Sequence, residues 1–333
     1  MATISDIAKK ANVSRSLVSR VLNNKSGVSP ANRKTILEAI SEYNYKPNAL
    51  ARALANQKTQ TIGVVMDDLC DKFIFDLIRG MQDTGEKLGY NIIFCSGNAN
   101  MDVKIRYVDY FMQGRTDGMI AFGSRLTDSN IFREMVEQPN PFVLIEGNIP
   151  DHEFNNIQLD NAGGAYKATK HLLDLGYKKI WHVTGDLNFN VSLDRRKGFL
   201  MAMQDYNADI NEDSIIIADF EEELAHKRVS ALLRDKKVPD ACFAGADKTA
   251  YGVIRALYEN GLRVPQDVAI IGFDDDKPDT FDMLFPKLTT LRQPLYEMGK
   301  AGVEILIHSI ENPKVKPKIV VFEPELIIGE TCP

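Results

Sequence analysis

Apolar residues recur at two different periods along this chain, and the change of period divides it. Near the N-terminus the spacing is helical: Ile4, Ile7, Ala8 and Ala11 share one face, as do Leu17, Val18, Val21 and Leu22. Thr3-Ile4-Ser5-Asp6 has the form of a capping box, in which a hydroxyl meets free helix amides and an acid three residues on reaches back. Asn12-Val13 breaks the first helix and Ser14 is placed to cap a second. Ser29-Pro30 opens a third, with the proline at its first position. Ile36, Leu37 and Ile40, with Tyr43 and Tyr45 beyond, are expected to close a three-helix core. The stretch Pro47-Asn48-Ala49-Leu50-Ala51-Arg52-Ala53-Leu54-Ala55 reads either as a short helix capped by Asn48 or as a plain linker. Such a helix needs DNA or a partner subunit, because nucleation costs more than a few hydrogen bonds return. Leu50 and Leu54, one turn apart, could pack on a twin helix or wedge into a minor groove.

From Thr61 onward, short continuous apolar runs alternate with amphipathic helical stretches. Ile62-Gly63-Val64-Val65-Met66, the runs 90–95 and 118–122, and Phe142-Val143-Leu144-Ile145 are strands buried on both faces, which means parallel sheets covered by helices. The theme then repeats. Leu88-Gly89-Tyr90 is echoed by Leu175-Gly176-Tyr177 before Ile180-Trp181-His182-Val183, and Asp117-Gly118-Met119-Ile120-Ala121 by Asp240-Ala241-Cys242-Phe243-Ala244. Tandem βα units of this kind predict two Rossmann-like subdomains with a cleft between them. Trp181 is expected in the core.

Charge sharpens the division. Residues 1–58 hold ten Lys/Arg against three acids, +7, whereas the whole chain carries −6, which leaves −13 for the rest. A basic head on an acidic body suits a chain that meets phosphate only through its head. Two short helices joined by a tight turn form a helix-turn-helix, whose second helix can enter the major groove. Arg15, Ser16 and Arg20 are assigned to base edges, and Ser5, Ser19 and Asn23 to phosphates. Thr3, Ser14, Asn48, Ala51 and Leu54 complete the expected DNA-binding set.

Ligands of parallel sheets bind beyond the carboxyl ends of the strands. The positions there are Asp67 and Phe73, Ser124, Glu146, Arg195, Asp247 and Asp274, a set that suits a polar small molecule such as a sugar. No catalytic constellation is present: the five histidines lack HExxH spacing, and neither GxSxG nor a GxxxxGK[ST] phosphate loop occurs. The run Asp274-Asp275-Asp276, with Asp279 and Asp282, lacks calcium-loop spacing and reads as a solvated strand-end loop. Cys70, Cys95, Cys242 and Cys332 form no CxxC pair and read as reduced thiols buried in strands, not as a disulfide or metal framework. No cofactor is expected. The chain shows no apolar run of about eighteen residues and no signal-peptide pattern, so the expected location is the cytoplasm, away from membranes.

Thr3-Ile4-Ser5-Asp6-Ile7-Ala8, Val13-Ser14, Val18-Ser19-Arg20-Val21-Leu22-Asn23 and Tyr45-Lys46-Pro47-Asn48 make the head resemble the lactose/galactose repressor (LacI/GalR) family. The resemblance runs through Gly118, Asp160-Asn161, Arg195, Gly198-Phe199, the stretch 261–268, Gly272-Phe273-Asp274-Asp275 and the stretch 288–294. It implies a homodimer or a tetramer on a pseudo-palindromic operator, and a periplasmic-binding-protein-like core. The implied organisation is a helix-turn-helix domain 1–46, hinge helix and linker 47–59, and effector-binding and dimerisation core 60–333. The core halves are about 60–160 plus 290–323, and 161–289 plus 324–333. Leu54 matches the family's intercalating hinge leucine, Asp274 and Arg195 its effector contacts, and Phe220 the aromatic residue that stacks on the ligand. Departures from the family pattern are Leu17 for Thr, Ala55 for a basic residue, Ala246 for Asn, Glu146 for Asp and Gly329 for Arg.

The resulting expectation is a non-enzymatic regulator, a repressor of carbohydrate-metabolism genes controlled by a sugar or sugar phosphate. A purine effector or a phosphorylated carrier protein as corepressor is the alternative within the class. A solute-binding uptake protein would share the body, but not the head.

Overall fold

The computed structural model describes residues 2–22, 26–45, 58–97, 100–123, 125–211, 214–276 and 285–333. The expectations for Asn23, Asn48, Ala51, Leu54, Ser124, Asp279 and Asp282, and for the hinge helix, lie outside the described residues. Two compact units emerge, residues 1–60 and residues 61–333.

The first unit is a three-helix cluster: α1 (Ile4–Lys10), α2 (Arg15–Leu22) and α3 (Pro30–Glu42). The caps are those the sequence predicts. Thr3 and Asp6 form the reciprocal capping box, Ser14 Oγ accepts from the Leu17 amide (3.2 Å), and Ser29 Oγ accepts from the Asn32 amide (3.3 Å). Ile7, Ala8, Ala11, Val18, Val21, Ile36 and Ala39 make the core. Leu37 and Tyr43 do not belong to it, being 51% and 44% exposed. At 3.6 residues per turn, Ile36 shares its face with Ala39 and Ile40, and Leu37 is rotated about 100° off it.

The second unit is built on two parallel sheets. The first has six strands in the order β11-β5-β4-β3-β1-β2: β1 (Thr61–Met66), β2 (Asn91–Ser96), β3 (Gly118–Phe122), β4 (Phe142–Ile145), β5 (Asn155–Leu159) and β11 (Ile319–Phe322). The second has four in the order β7-β6-β8-β9: β6 (Ile180–Thr184), β7 (Ile215–Ile217), β8 (Ala241–Ala244) and β9 (Ala269–Ile271). Helices α4 (Phe75–Leu88), α5 (Met101–Met112), α6 (Ser129–Glu137) and α11 (Leu295–Glu311) go with the first sheet. Helices α7 (Asn161–Asp174), α8 (Asn190–Asp205), α9 (Glu222–Arg234) and α10 (Asp247–Glu259) go with the second. Two short strands, β10 (Thr290–Arg292) and β12 (Glu325–Ile327), pair antiparallel where the chain passes between the sheets.

The sequence echoes correspond to matching backbone geometry. Gly89 and Gly176 each end a helix at positive φ (77° and 91°), a conformation that glycine adopts without steric cost. The Asp117 amide bonds the Thr61 carbonyl at the start of β1, and the Asp240 amide bonds the Lys179 carbonyl just before β6, both at 2.8 Å. Trp181 is buried in the core of the second half. The thiols divide: Cys242 and Cys332 are buried, but Cys70 is exposed in the loop after β1, where no partner strand covers it. No helix among the described residues is long and apolar enough to cross a membrane.

Candidate functional site

Two surfaces carry chemistry, one on each unit. On the head, α2 turns Val18 and Val21 inward, and Arg15, Ser16 and Arg20 lie exposed on its outer side. Ser14 Oγ lies 2.9 Å from Ser16 Oγ, so the cap and the first turn share one hydroxyl pair. Thr3 is engaged in its cap: its hydroxyl donates to Asp6 Oδ2 at 2.7 Å and accepts from the Asp6 amide at 3.3 Å. Ser5 and Ser19 are half-buried. Leu17 packs against the head core, which explains an apolar residue at this position.

In the second unit a cavity of about 230 Å³ opens between the strand ends of the two sheets. Asp67, Phe73, Glu146, Arg195, Phe220 and Asp274 all line it. Residues far apart in sequence converge here because most of them follow the carboxyl end of a parallel strand. Three of them, Glu146, Phe220 and Asp274, are held off the common backbone conformations with φ of 57°, 61° and 121°, as are the adjoining Asp219 and Asp275 with 52° and 57°. Such strain at non-glycine residues concentrates at ligand sites, where surrounding structure must hold it.

One polar network joins both halves. Glu146 Oε1 accepts from the Leu159 amide (2.5 Å), and its Oε2 from Asn161 Nδ2 (2.8 Å). Asn161 Oδ1 in turn accepts from Arg195 Nε (2.8 Å). Arg195 also donates to the Gly245 carbonyl (2.5 Å) and faces Asp274 Oδ1 at 3.5 Å, with its guanidinium 3.7 Å from the centre of the Phe273 ring. Gln293 Nε2 completes the chain by donating to Asp274 Oδ1 (2.7 Å). Burial raises the Glu146 carboxyl above its ordinary value against these donated hydrogen bonds. Burial likewise pushes Asp274 up to about 7, opposed by the positive charge of Arg195.

Arg195 reaches the cavity from within α8, not from a strand end, so helix phase positions it. Asp247 departs from expectation: it does not line the cavity. Its carboxylate is buried and taken, Oδ1 by the Thr290 hydroxyl (2.6 Å) and Oδ2 by the Asp276 amide (2.8 Å), so it braces the loop that presents Asp274. Burial, then the neighbouring Asp274 charge, raises its carboxyl well above the ordinary range. The acidic run is therefore structured and not merely solvated. Asp274 lies in the network, Asp275 pairs with Arg292 Nε (2.6 Å), and Asp276 lines the cavity.

Asn161, Phe189 and Gln293 were missed by sequence reasoning. Asn161 follows β5, whose run Asn-Asn-Ile-Gln-Leu lacks an apolar signature; Gln293 follows β10, only three residues long. The strand-end rule would have found Asn161 had β5 been recognised, but Gln293 follows a strand paired antiparallel, which that rule does not cover. Phe189 lies five residues beyond β6, in a loop that no periodicity marks.

Comparison with known proteins agrees with this architecture. Residues 3–48 match the family described as bacterial regulatory proteins, lacI family, and residues 169–332 match a periplasmic binding protein-like domain. The chain is 33% identical to catabolite control protein A of Priestia megaterium over 96% of this chain and 95% of that protein. It is 34% identical to the HTH-type transcriptional repressor PurR of Aliivibrio salmonicida over 98% of each. In fold it superposes on the lac repressor dimer bound to operator and the anti-inducer ONPF, with TM-score 0.89, 24% identity and 99% coverage of both chains. It also superposes on a lacI-family regulator from Enterococcus faecium with bound ribose, with TM-score 0.69, 28% identity and coverage of 81% and 98%. The chain belongs to the lacI family of bacterial regulatory proteins, DNA-binding transcriptional repressors controlled by effectors, and is not an enzyme.

Proposed function

We propose that this repressor responds to an uncharged, sugar-like effector of about one ring and controls genes of carbohydrate metabolism. The observation that carries the reading is the cavity itself. Its donors and acceptors alternate along Glu146, Arg195, Asp274 and Gln293, the first two joined through Asn161, with the Phe220 ring beside them, the combination that fits a polyhydroxylated ring. At about 230 Å³ it lies below the ~300 Å³ at which sites for drug-sized ligands begin. Charge argues against a sugar phosphate. Arg195 is committed to Asn161, Gly245 and Asp274, and the other lining cation, Lys248, sits 3.3 Å from Glu221.

On the DNA side, Arg15, Ser16 and Arg20 would read base edges in the major groove. Ser5, Ser19 and Asn23 would position the phosphates, with Thr3 and Ser14, whose hydroxyls cap α1 and α2, completing the DNA-binding set. Domain 1–46 would act through a hinge, 47–59, in which Asn48, Ala51 and Leu54 meet the operator centre. Such a repressor works as a cytoplasmic homodimer on a pseudo-palindromic operator. Thermal-shift and calorimetric titration with pentoses, hexoses, their phosphates and purine bases tests the effector reading. Saturable stabilisation by a free monosaccharide is the expected result. Binding of a purine or sugar phosphate with no response to any free sugar would overturn it.

A further inference from the structure

We propose that Arg125 is the pin of a clasp that holds the two halves of the core together at the cavity and sets the position of Phe189. Arg125 lies just past β3 of the six-stranded sheet, whereas Asp186 and Phe189 lie in the loop after β6 of the four-stranded sheet. The two segments meet as an antiparallel bridge between Arg125 and Phe189, and the Leu126 amide donates to the Asn188 carbonyl at 2.8 Å. The Arg125 guanidinium lies 4.4 Å from the centre of the Phe189 ring, its Nε 3.7 Å from Asp67, and its Nη1 3.6 Å from Asp186.

Each contact is itself braced. Asp186 Oδ1 accepts from the Asn188 backbone and side-chain amides, both at 2.9 Å, which leaves Oδ2 for Arg125. Asp67 is held from below by the buried Lys104 at 2.5 Å, and Lys104 also grips Asp128 at 2.6 Å. The Arg125 amide donates to that same Asp128 carboxylate at 3.2 Å. Phe189 lines the cavity and meets Phe220 edge-on at 6.4 Å. A charge shared between carboxylates of opposite halves, stacked on a cavity-lining ring, therefore ties closure of the cleft to the shape of the ligand wall.

This inference deepens the effector-site reading, and it rests on that reading only for its consequence. If the clasped form is the ligand-competent one, loss of Arg125 weakens effector binding by the fraction of closed molecules lost. The clasp itself is tested without ligand, by hydrogen exchange on the full chain, so its failure is distinguishable from failure of the sugar reading. In Arg125→Ala, exchange should rise about tenfold in peptides of both halves, covering 123–128 and 186–190. Arg125→Lys, which keeps the charge but not the planar stack, should fall between. Peptides covering β8 and β9 should keep their protection in both variants, and this reports that the fold is intact. Asp186→Asn is the second route: it should loosen the 123–128 segment, and adding it to Arg125→Ala should change little further. Exchange in 186–190 unchanged by Arg125→Ala, or in 123–128 unchanged by Asp186→Asn, would overturn the proposal.

Discussion

Arg195 shows how one side chain comes to govern a site. It is nearly fully buried, and its charge is tolerated because Asn161, the Gly245 carbonyl and Asp274 all face it. Arg195→Met would leave Asp274 and Glu146 buried without their cation. Removal of one partner from such a buried set costs about 3–5 kcal/mol, which equilibrium urea denaturation should register. Arg15 is the corresponding residue on the head. Arg15→Ala should weaken operator binding by roughly 1–3 kcal/mol and relax preference at one base per half-site. Equal loss on operator and random duplexes in an anisotropy titration would reassign it to phosphate.

His182 is a buried histidine of another kind, a core residue stacked on Phe243 with ring centres 4.8 Å apart, its Nδ1 3.0 Å from the Phe243 carbonyl. Burial lowers it from 6.5 to about 4. The unfolded chain therefore takes up this proton below pH 6.5, and the folded chain only below about 4. Its contribution to stability is complete above pH 6.5 and is lost as the pH falls toward 4, by about 3 kcal/mol. Denaturation of His182→Gln across this window should show a correspondingly flatter acid limb.

At the scale of elements, the close approach of α7 and α8 decides whether the network can form. A Cβ on Gly198 would strike the Ala162 carbonyl and the Tyr166 amide, so only glycine allows the backbones to lie this close. That approach also brings Asn161, at the start of α7, within reach of Arg195 on α8. Gly198→Ala should therefore destabilise the chain by about 1–3 kcal/mol and weaken effector binding together with it, measured by urea denaturation and calorimetry. The head elements were legible in sequence because caps and helical period act locally: Thr3, Asp6, Ser14, Ser29 and Pro30 all sit where the pattern placed them. Strand β5 was not legible. Its polar Asn156 is buried, with Nδ2 donating to the Gly147 carbonyl (3.1 Å), a partner that only the folded chain supplies, while its Oδ1 has no hydrogen-bond partner.

Across the whole molecule, charge is partitioned by function. The head concentrates +7 within the first 58 residues of a chain whose net charge is −6. Operator binding should therefore fall by roughly 10³-fold or more between 50 and 200 mM salt if a dimer makes several phosphate contacts. Affinity for an uncharged effector should change little over the same range. Anisotropy with labelled operator and calorimetry with the effector measure the two separately.

By itself the sequence determined the division into a basic helical head and a doubly wound core, the helix caps of the head, the strands β1 to β4, β6 and β8, and the strand-end residues Asp67, Glu146 and Asp274. These follow from local propensity, from hydrophobic period, and from the rule that ligands collect beyond parallel strands. Phe220 entered through family resemblance alone. Tertiary structure decided the rest. It withdrew Asp247 from the cavity by supplying Thr290 and the Asp276 amide as partners, and it brought Asn161, Phe189 and Gln293 to the site. It also set Arg125 against a ring 64 residues further along the chain. The reason is physical. A period specifies which face of an element is buried, but the partner of a buried polar group is fixed only when elements distant in sequence are packed together.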